Sequence, residues 1–380
     1  MRTTVPPTGV VISGSGIWTP PHIITNDELV DAYNQYAGQF NAEHARAIAA
    51  GKMEEKPLSS ARFIEKASGI KARHVYSKDG ILDIHRMRPD FPERRESEIS
   101  HQAEIAATAA RGAMAEAGKT ASEIDAVIVA CTYTQRAYPA IAIEVQHALG
   151  IENGFGFDML GACSAATFGL HRAYDSLMSG SASCVLVLHP ELVTPQVDYR
   201  DRDSHFIFGD VGAAMILERA DSCAGGKGFD VLGVRAMTRF SSNIRSNFGH
   251  LSNAFDGDPF AGDKLFHQAG RKVFEEVSPL AAGHIKDHLA SHGIRPNQVA
   301  RFWLHQANIN MNRMVIKHLL NAEARPETVP MVLDHYGNTA SAGSIVAFHF
   351  HHQRMQPGDI GVICSFGAGY SVCSLILRKR

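Results

Sequence analysis

Three residue types that can act together in acyl chemistry stand beside unusually small neighbours. Cys163 lies in "GACSAAT" (161–167), between the apolar stretch "ENGFGFDML" (152–160) and the helical pattern "FGLHRAYDSLMSG" (168–180). A thiol becomes a nucleophile when its thiolate is stabilised, and the unpaired N–H groups and dipole of a helix N-terminus do that. Small neighbours let a carbonyl and the backbone approach closely. His305 ends an apolar run in "FWLHQANINMNR" (302–313), and a polar turn follows it. Asn338 follows a glycine in "DHYGNTASAGSI" (334–345) and precedes a second run of small residues. The glycine-rich "FGAGY" (366–370) offers backbone N–H groups for an oxyanion. Each residue alone has a plainer reading: core filler for the cysteine, a structural imidazole for the histidine, a turn residue for the asparagine. Three of them at element ends beside small residues point to nucleophilic catalysis.

The elements that must position them alternate. Strand patterns are read at 9–17, 124–132, 183–191, 212–219, 299–306, 359–367 and 371–379, and helical patterns at 98–118, 142–150, 165–180, 264–292 and 308–321. Cys163 is thereby placed where a buried strand gives way to a helix. Such alternation implies an α/β fold with a largely parallel sheet. "GKTASEIDAVIVACT" from Gly118 and "GIRPNQVARFWLHQA" from Gly293 share a helix-ending glycine and a strand that starts six positions later, so His305 corresponds to Ala130. This suggests two similar halves, 1–222 carrying the cysteine and 223–380 carrying the histidine and asparagine, joined near the turn at 221–228. Two segments fit neither half: 36–57, polar and helix-prone, and 76–100, highly charged with prolines. They read as surface excursions, or as a cap or dimer contact.

The 380 residues are 45% hydrophobic and 20% charged, with a net charge of -2. That is an ordinary soluble globular composition, long enough for a large core or two fused domains, and it argues against nucleic acid as the main partner, which would require neutralised phosphates. No apolar run approaches the ~20 residues of a membrane-spanning helix, so no membrane insertion is expected. "MRTTVPPTGVVISGSG" reads as no signal peptide. Six cysteines show no CxxC pairing; five lie in apolar surroundings, and Cys223 in a glycine-rich turn is expected to be exposed. A cytoplasmic location is expected.

In order along the chain, "SGIKARH" (68–74), "ACSAATFGL" (162–170), "DRDSHFIFGDVGAAMILE" (201–218), "HQAN" (305–308), "YGNTASAGSI" (336–345) and "FGAGY" resemble the beta-ketoacyl-acyl-carrier-protein synthase III family of thiolase-fold condensing enzymes. The resemblance spans nearly the whole chain apart from the two excursions. It implies a five-layer α-β-α-β-α sandwich of two related halves, usually a homodimer. It also implies a reaction: decarboxylative condensation of an acyl-CoA primer with malonyl-ACP in fatty acid biosynthesis. The partners would be acyl carrier protein and acyl-CoA, both as substrates, with no further cofactor. Carried over by position, Cys163 would hold the acyl group as a thioester. His305 and Asn338 would donate to the malonyl thioester oxygen while carbon dioxide leaves, and a neutral imidazole suits that role. The N–H groups of Cys163 and Ala368 would receive the oxyanion. Phe63, Arg202 and Asn308 would bind coenzyme A, with Phe63 stacked on adenine opposite Arg202. Tyr138, Ile141, Ile143, Phe168 and Phe366 would line the acyl pocket. The family's usual Trp and Arg before its "TGI" are Phe63 and Ala67 here, and a commonly basic position is Asn310, so carrier docking would lean on Lys264, Arg271, Lys272 or Arg313. The excursions and "QRAYPAIAIEVQHALG" (135–150) resemble a subgroup primed with medium-chain acyl-CoA such as octanoyl, which makes beta-ketodecanoyl-ACP.

Other readings fit less well. A papain-like protease has the same Cys, His, Asn order, but its "CGSCW" signature is missing. A degradative thiolase needs a second cysteine two residues before its glycine loop, whereas Cys364 stands three before Gly367, on the opposite strand face. A relative that joins two acyl chains or acylates an alcohol would keep a similar triad, and a non-catalytic acyl-binding protein would not need one. "FHFHH" (348–352) puts His349 and His352 on one helix face, with no carboxylate or cysteine at ligand spacing in the sequence; no metal is expected there.

Overall fold

Capping residues and glycines delimit the helices. Thr25 and Glu28 form a capping box that starts α1 (Asn26–Glu43). Ser60 caps α2 (Ala61–Ser68), and Ser100 caps α3 (His101–Ala117), which ends on Gly118 in the left-handed region at φ 66. The remaining long helices are α4 (Ile141–Leu149), α5 (Ala165–Met178), α6 (Gly270–Ser291), α7 (Ile309–Leu320) and α8 (Gly343–His351). This computed structural model describes residues 9–223, 226–258, 261–323 and 325–380. The first eight residues, read above for a leader, and part of the 221–228 turn lie outside them.

Nine strands form the main sheet: β1 (Val10–Trp18), β2 (Ala126–Cys131), β3 (Phe155–Leu160), β4 (Cys184–Glu191), β5 (Val211–Arg219), β6 (Phe229–Ser241), β7 (Val299–Leu304), β8 (Ile360–Gly367) and β9 (Gly369–Lys379). Their order is β7-β8-β9-β6-β1-β5-β4-β2-β3. The ladder divides where β1 meets β6 through only Val11–Asp230 and Ile12–Phe229. On one side β2 runs parallel to β4, and β5 and β1 follow antiparallel. On the other, β7 runs parallel to β8, and β9 and β6 follow antiparallel. The halves thus share one topology. In register, Val129 faces Leu188 and Leu304 faces Cys364, each three residues before its strand's end, so Ala130 and His305 are equivalent positions.

Three of the apolar clusters hold the layers together. Ala103, Ala106 and Ile141 of α3 and α4 pack on Val127, Val129 and Leu186. Leu170 and Leu177 of α5, with Ile345 and Phe348 of α8, fill the space between the half-sheets against Ile128, Val187, Trp303 and Ile363. Val277 and Ile285 of α6, with Val315 of α7, cover Phe302, Leu304 and Val362. This is the α-β-α-β-α sandwich expected. Among the described residues no helix is long and apolar enough to cross a membrane.

Three expectations change. The strand before Cys163 is not buried: β3 is the sheet's edge, with Phe155, Phe157 and Leu160 exposed. Cys223 is half-buried, its thiol directed at the Lys227 carbonyl. The excursion at 36–57 is the second half of α1 and a strap folded back on it. Asn41 exchanges hydrogen bonds with the Lys56 backbone, and the Lys56 amine lies 4.9 Å over Phe40 and 5.5 Å over Tyr36. Tyr36 also carries the Arg200 guanidinium at 5.7 Å, so the excursion caps the loop that bears Arg202. The segment 76–100 folds over the start of α3: Phe91 packs on Tyr76 and His101, and Arg94 bonds His101.

Candidate active site

The chain reaches Cys163 through a strained turn. Ala162 has φ 45, a left-handed value that is uncommon for a residue with a Cβ, and a short 3-10 turn, Ala162–Ser164, leads into α5. Thr339 and Ala340 repeat this in the other half: Ala340 has φ 47, and the 3-10 turn Ala340–Ala342 leads into α8. The two turns pack against each other and between the half-sheets. Cys163 lies against Gly367, where an added Cβ would come within 2.5 Å of the cysteine Cβ and 3.0 Å of its Sγ. A glycine is therefore required at that strand end. Ser371 links the two loops, bonding Ser164 at 2.5 Å and the Ala368 carbonyl at 2.7 Å.

Burial pushes the Cys163 thiol up to about 11, opposed by the backbone N–H of Ala368 and by its own. The helix terminus and these donors favour the thiolate, as the sequence suggests, but burial outweighs them and raises the thiol. The two N–H groups anticipated for the oxyanion do converge on the sulfur.

His305 leaves β7 with its N–H bonded to the Cys364 carbonyl, and its ring stands edge-on to Phe366 at 5.5 Å. Burial lowers its pKa to about 4, only partly offset by the Ala340 carbonyl, so the imidazole is neutral across the physiological range. Its buried Nδ1 has no hydrogen-bond partner among the described residues. Asn338 is stapled to the 207–209 segment, its N–H on the Ile207 carbonyl and its carbonyl receiving the Gly209 N–H. Its Oδ1 accepts from Ala340 N–H at 2.9 Å, which fixes the amide and leaves Nδ2 as the outward donor. Behind it the buried Arg73, from the "SGIKARH" motif, binds the Ile24 and Phe206 carbonyls and Asn26.

Other anticipated residues fall elsewhere. The Arg202 guanidinium lies directly on the Phe63 ring, 3.8 Å from its centre, and bonds the Leu58 carbonyl. No gap for a base stands between them, so adenine would have to displace the guanidinium. Asn308 is committed: its Nδ2 binds the Ala67 carbonyl and its Oδ1 caps α7 at Asn310, joining two helices rather than presenting a free ligand group. Ile141 belongs to the outer core, on the sheet face away from α5, because Asp158 fixes the start of α4 there. Tyr138 and Ile143 face solvent, 84% and 48% exposed. Phe168 is half-buried on the first turn of α5, and Phe366 is buried against His305. Cys364 sits in the core under α6 and α7, away from Cys163. The FHFHH cluster does meet a carboxylate, from α3: Glu116 lies 3.6 Å from His352 and bonds Ser15, which bonds His349. Among the described residues no group of three or more such side chains is arranged to hold a metal.

Sequence reasoning missed Glu191. It ends β4 fully buried, accepts from Thr132 N–H and Ser341 N–H, and binds the Ser341 hydroxyl. The available signal was a carboxylate ending a strand that opens on an apolar run, "SCVLVLHPE".

Residues 157–238 match the family model described as 3-oxoacyl-[acyl-carrier-protein (ACP)] synthase III, and residues 289–379 match its C-terminal counterpart. A beta-ketodecanoyl-[acyl-carrier-protein] synthase of Pseudomonas aeruginosa is 51% identical over 351 residues, spanning 92% of this chain and 100% of that protein. The chain belongs to the 3-oxoacyl-ACP synthase III family. A beta-ketoacyl-[acyl-carrier-protein] synthase III of Bartonella bacilliformis is 31% identical over 277 residues, 71% of this chain and 82% of that one. The crystal structure of 3-oxoacyl-[acyl-carrier-protein] synthase III from Aquifex aeolicus superposes with a TM-score of 0.75, at 24% identity, covering 97% of this chain and 100% of that chain. The chain is accordingly a condensing acyltransferase on the thiolase fold.

Proposed function

We propose that this enzyme joins a medium-chain acyl-CoA primer, around octanoyl, to malonyl-ACP in fatty acid biosynthesis, with Cys163, His305 and Asn338 as the catalytic residues. The observation that carries the reading is the convergence on Cys163 of the Ala368 and Cys163 N–H groups, beside a neutral His305 and an Asn338 amide locked as a donor.

In the first half-reaction Cys163 sulfur attacks the primer carbonyl. The negative charge that forms on the carbonyl oxygen is met by the two N–H groups, and the coenzyme A thiolate leaves with the thiol's proton as its balancing charge. In the second, His305 and Asn338 donate to the malonyl thioester oxygen. The bond to the carboxylate breaks, carbon dioxide departs, and its electron pair passes into the enolate. The enolate carbon then attacks the acyl-cysteine carbonyl, and the Cys163 thiolate is released. Donors placed where charge develops act most strongly there.

Support for the chain length comes from the 51% identical relative named a beta-ketodecanoyl-ACP synthase. Each methylene removed from water contributes about 0.8 kcal/mol, so six further carbons favour octanoyl over acetyl by roughly 4–5 kcal/mol where the tunnel admits them. The test is mass spectrometry of Cys163 after acyl-CoAs from C2 to C16, followed by malonyl-ACP. A labelling maximum at acetyl, falling towards octanoyl, would return the enzyme to short primers.

The working unit is read as a homodimer. The apolar edge of β3 and the neighbouring Tyr138 and Ile143 are exposed in one copy, which supports a second copy covering them. Six free cysteines, five of them buried, support a reducing, cytoplasmic setting.

A further inference from the structure

The equivalence of the two halves exposes a residue with no place in the reaction as derived so far. β4 and β8 are equivalent strands of eight residues, ending on Glu191 and Gly367. Each terminal residue faces the 3-10 turn that leads into an inner helix. Gly367 faces Cys163, and its missing side chain leaves room at the sulfur. Glu191 faces Ser341, which occupies the cysteine's equivalent place after the left-handed Ala340, as Cys163 does after the left-handed Ala162. Where one half leaves space for substrate, the other inserts a carboxyl.

We propose that Glu191 is a positioning residue of the condensing site: it clamps the Ala340–Ala342 turn, and through it the Asn338 amide. The clamp is three-sided. One carboxyl oxygen takes both the N–H and the hydroxyl of Ser341, and the other takes Thr132 N–H at 3.2 Å. This fixes the turn to the end of β2. The same turn supplies the Ala340 N–H that holds Asn338 Oδ1 and the Ala340 carbonyl beside His305. A clamp on the turn therefore sets the aim of both donors.

Burial raises Glu191 to about 7, against the pull of its Ser341 and Thr132 donors.

The inference rests on the proposed assignment of the two half-reactions, and its test separates the two. In Glu191→Gln the new amide can still accept from Ser341 but turns a donor towards Thr132 N–H, so the clamp is half undone. On enzyme acylated beforehand, the kcat of malonyl-ACP decarboxylation is expected to fall at least tenfold with its KM little changed. Ser341→Ala, which removes one contact of the clamp, is expected to slow the same step, and it serves as the test if the first variant does not fold. Unchanged decarboxylation in a folded Glu191→Gln, or in Ser341→Ala where that variant stands alone, overturns the proposal. Failure of the wild-type enzyme to decarboxylate malonyl-ACP would instead overturn the functional reading.

Discussion

At the scale of single residues, Cys163 was legible because its neighbours are too small for any role but making room. Its electrostatics were not legible, because the balance between a helix terminus and burial depends on the tertiary surroundings. The site places a neutral thiol, at about 11, beside a neutral imidazole, at about 4. Cys163→Ser should abolish acyl-enzyme formation, since a hydroxyl offers no comparable nucleophile, and intact-mass measurement checks it. His305→Ala and Asn338→Ala should each still take an acyl group at Cys163 yet lose ~10²–10³ in malonyl-ACP decarboxylation. Equal loss of both half-reactions would make His305 the base for Cys163. Because the folded pKa of His305 is lowered, its neutral form persists as pH falls. The His305-dependent part of decarboxylation, acylated wild type against acylated His305→Ala, should hold from pH 8 to about pH 5.5 and be lost only as pH approaches the histidine's value near 4, whatever step Glu191 imposes on both near 7. A ratio of the two rates that falls with a midpoint near 6.5 would contradict the burial argument.

Among the elements, those read best were the ones with a single period. The all-apolar runs became β2, β4, β5, β8 and β9, and the glycines at 118 and 293 mark helix ends with φ 66 and 67. β6 went unread because "FDVLGVRAMTRFS" mixes arginine and aspartate into a strand that leaves the core towards its end, with Phe240 exposed. β3 was read as buried because its aromatics look like core, although alternate residues face outward. The pair of left-handed alanines could not be read at all, since nothing in an alanine's type announces a positive φ. These strained turns and Gly367 together set the depth of the nucleophile. Gly367→Ala should therefore act on chemistry more than on folding. The added methyl meets Cys163 rather than a mobile side chain tip, at a cost of about 1–3 kcal/mol. The expected result is a cooperative thermal transition a few degrees lower, with acylation of Cys163 reduced by at least an order of magnitude. Wild-type acylation in that variant would mean the sulfur has more room than the packing allows.

The whole molecule was the most legible scale, because a duplicated half repeats its signals: the twelve-position offset that matched His305 to Ala130 is reproduced by the strand registers. What one chain's sequence does not carry is which surface would meet a second copy. Among the described residues β3 pairs with β2 alone, and its outer edge, lined by Phe155, Phe157 and Leu160, lies beside the start of α4, where Asp158 receives the Ile141 and Ala142 N–H groups. An open strand edge with exposed aromatics is a template for pairing with another strand. When the other strand belongs to an identical chain, a two-fold axis lets β3 meet β3 and closes the assembly at two copies. Charge introduced on the outward positions should oppose that contact without touching either half's core. Phe157→Lys combined with Leu160→Lys is expected to halve the mass seen by light scattering on a sizing column, from two chains to one, with the circular dichroism of each chain retained. A mass that stays at two chains would place the dimer contact on another face, and a wild-type mass of a single chain would remove the dimer altogether.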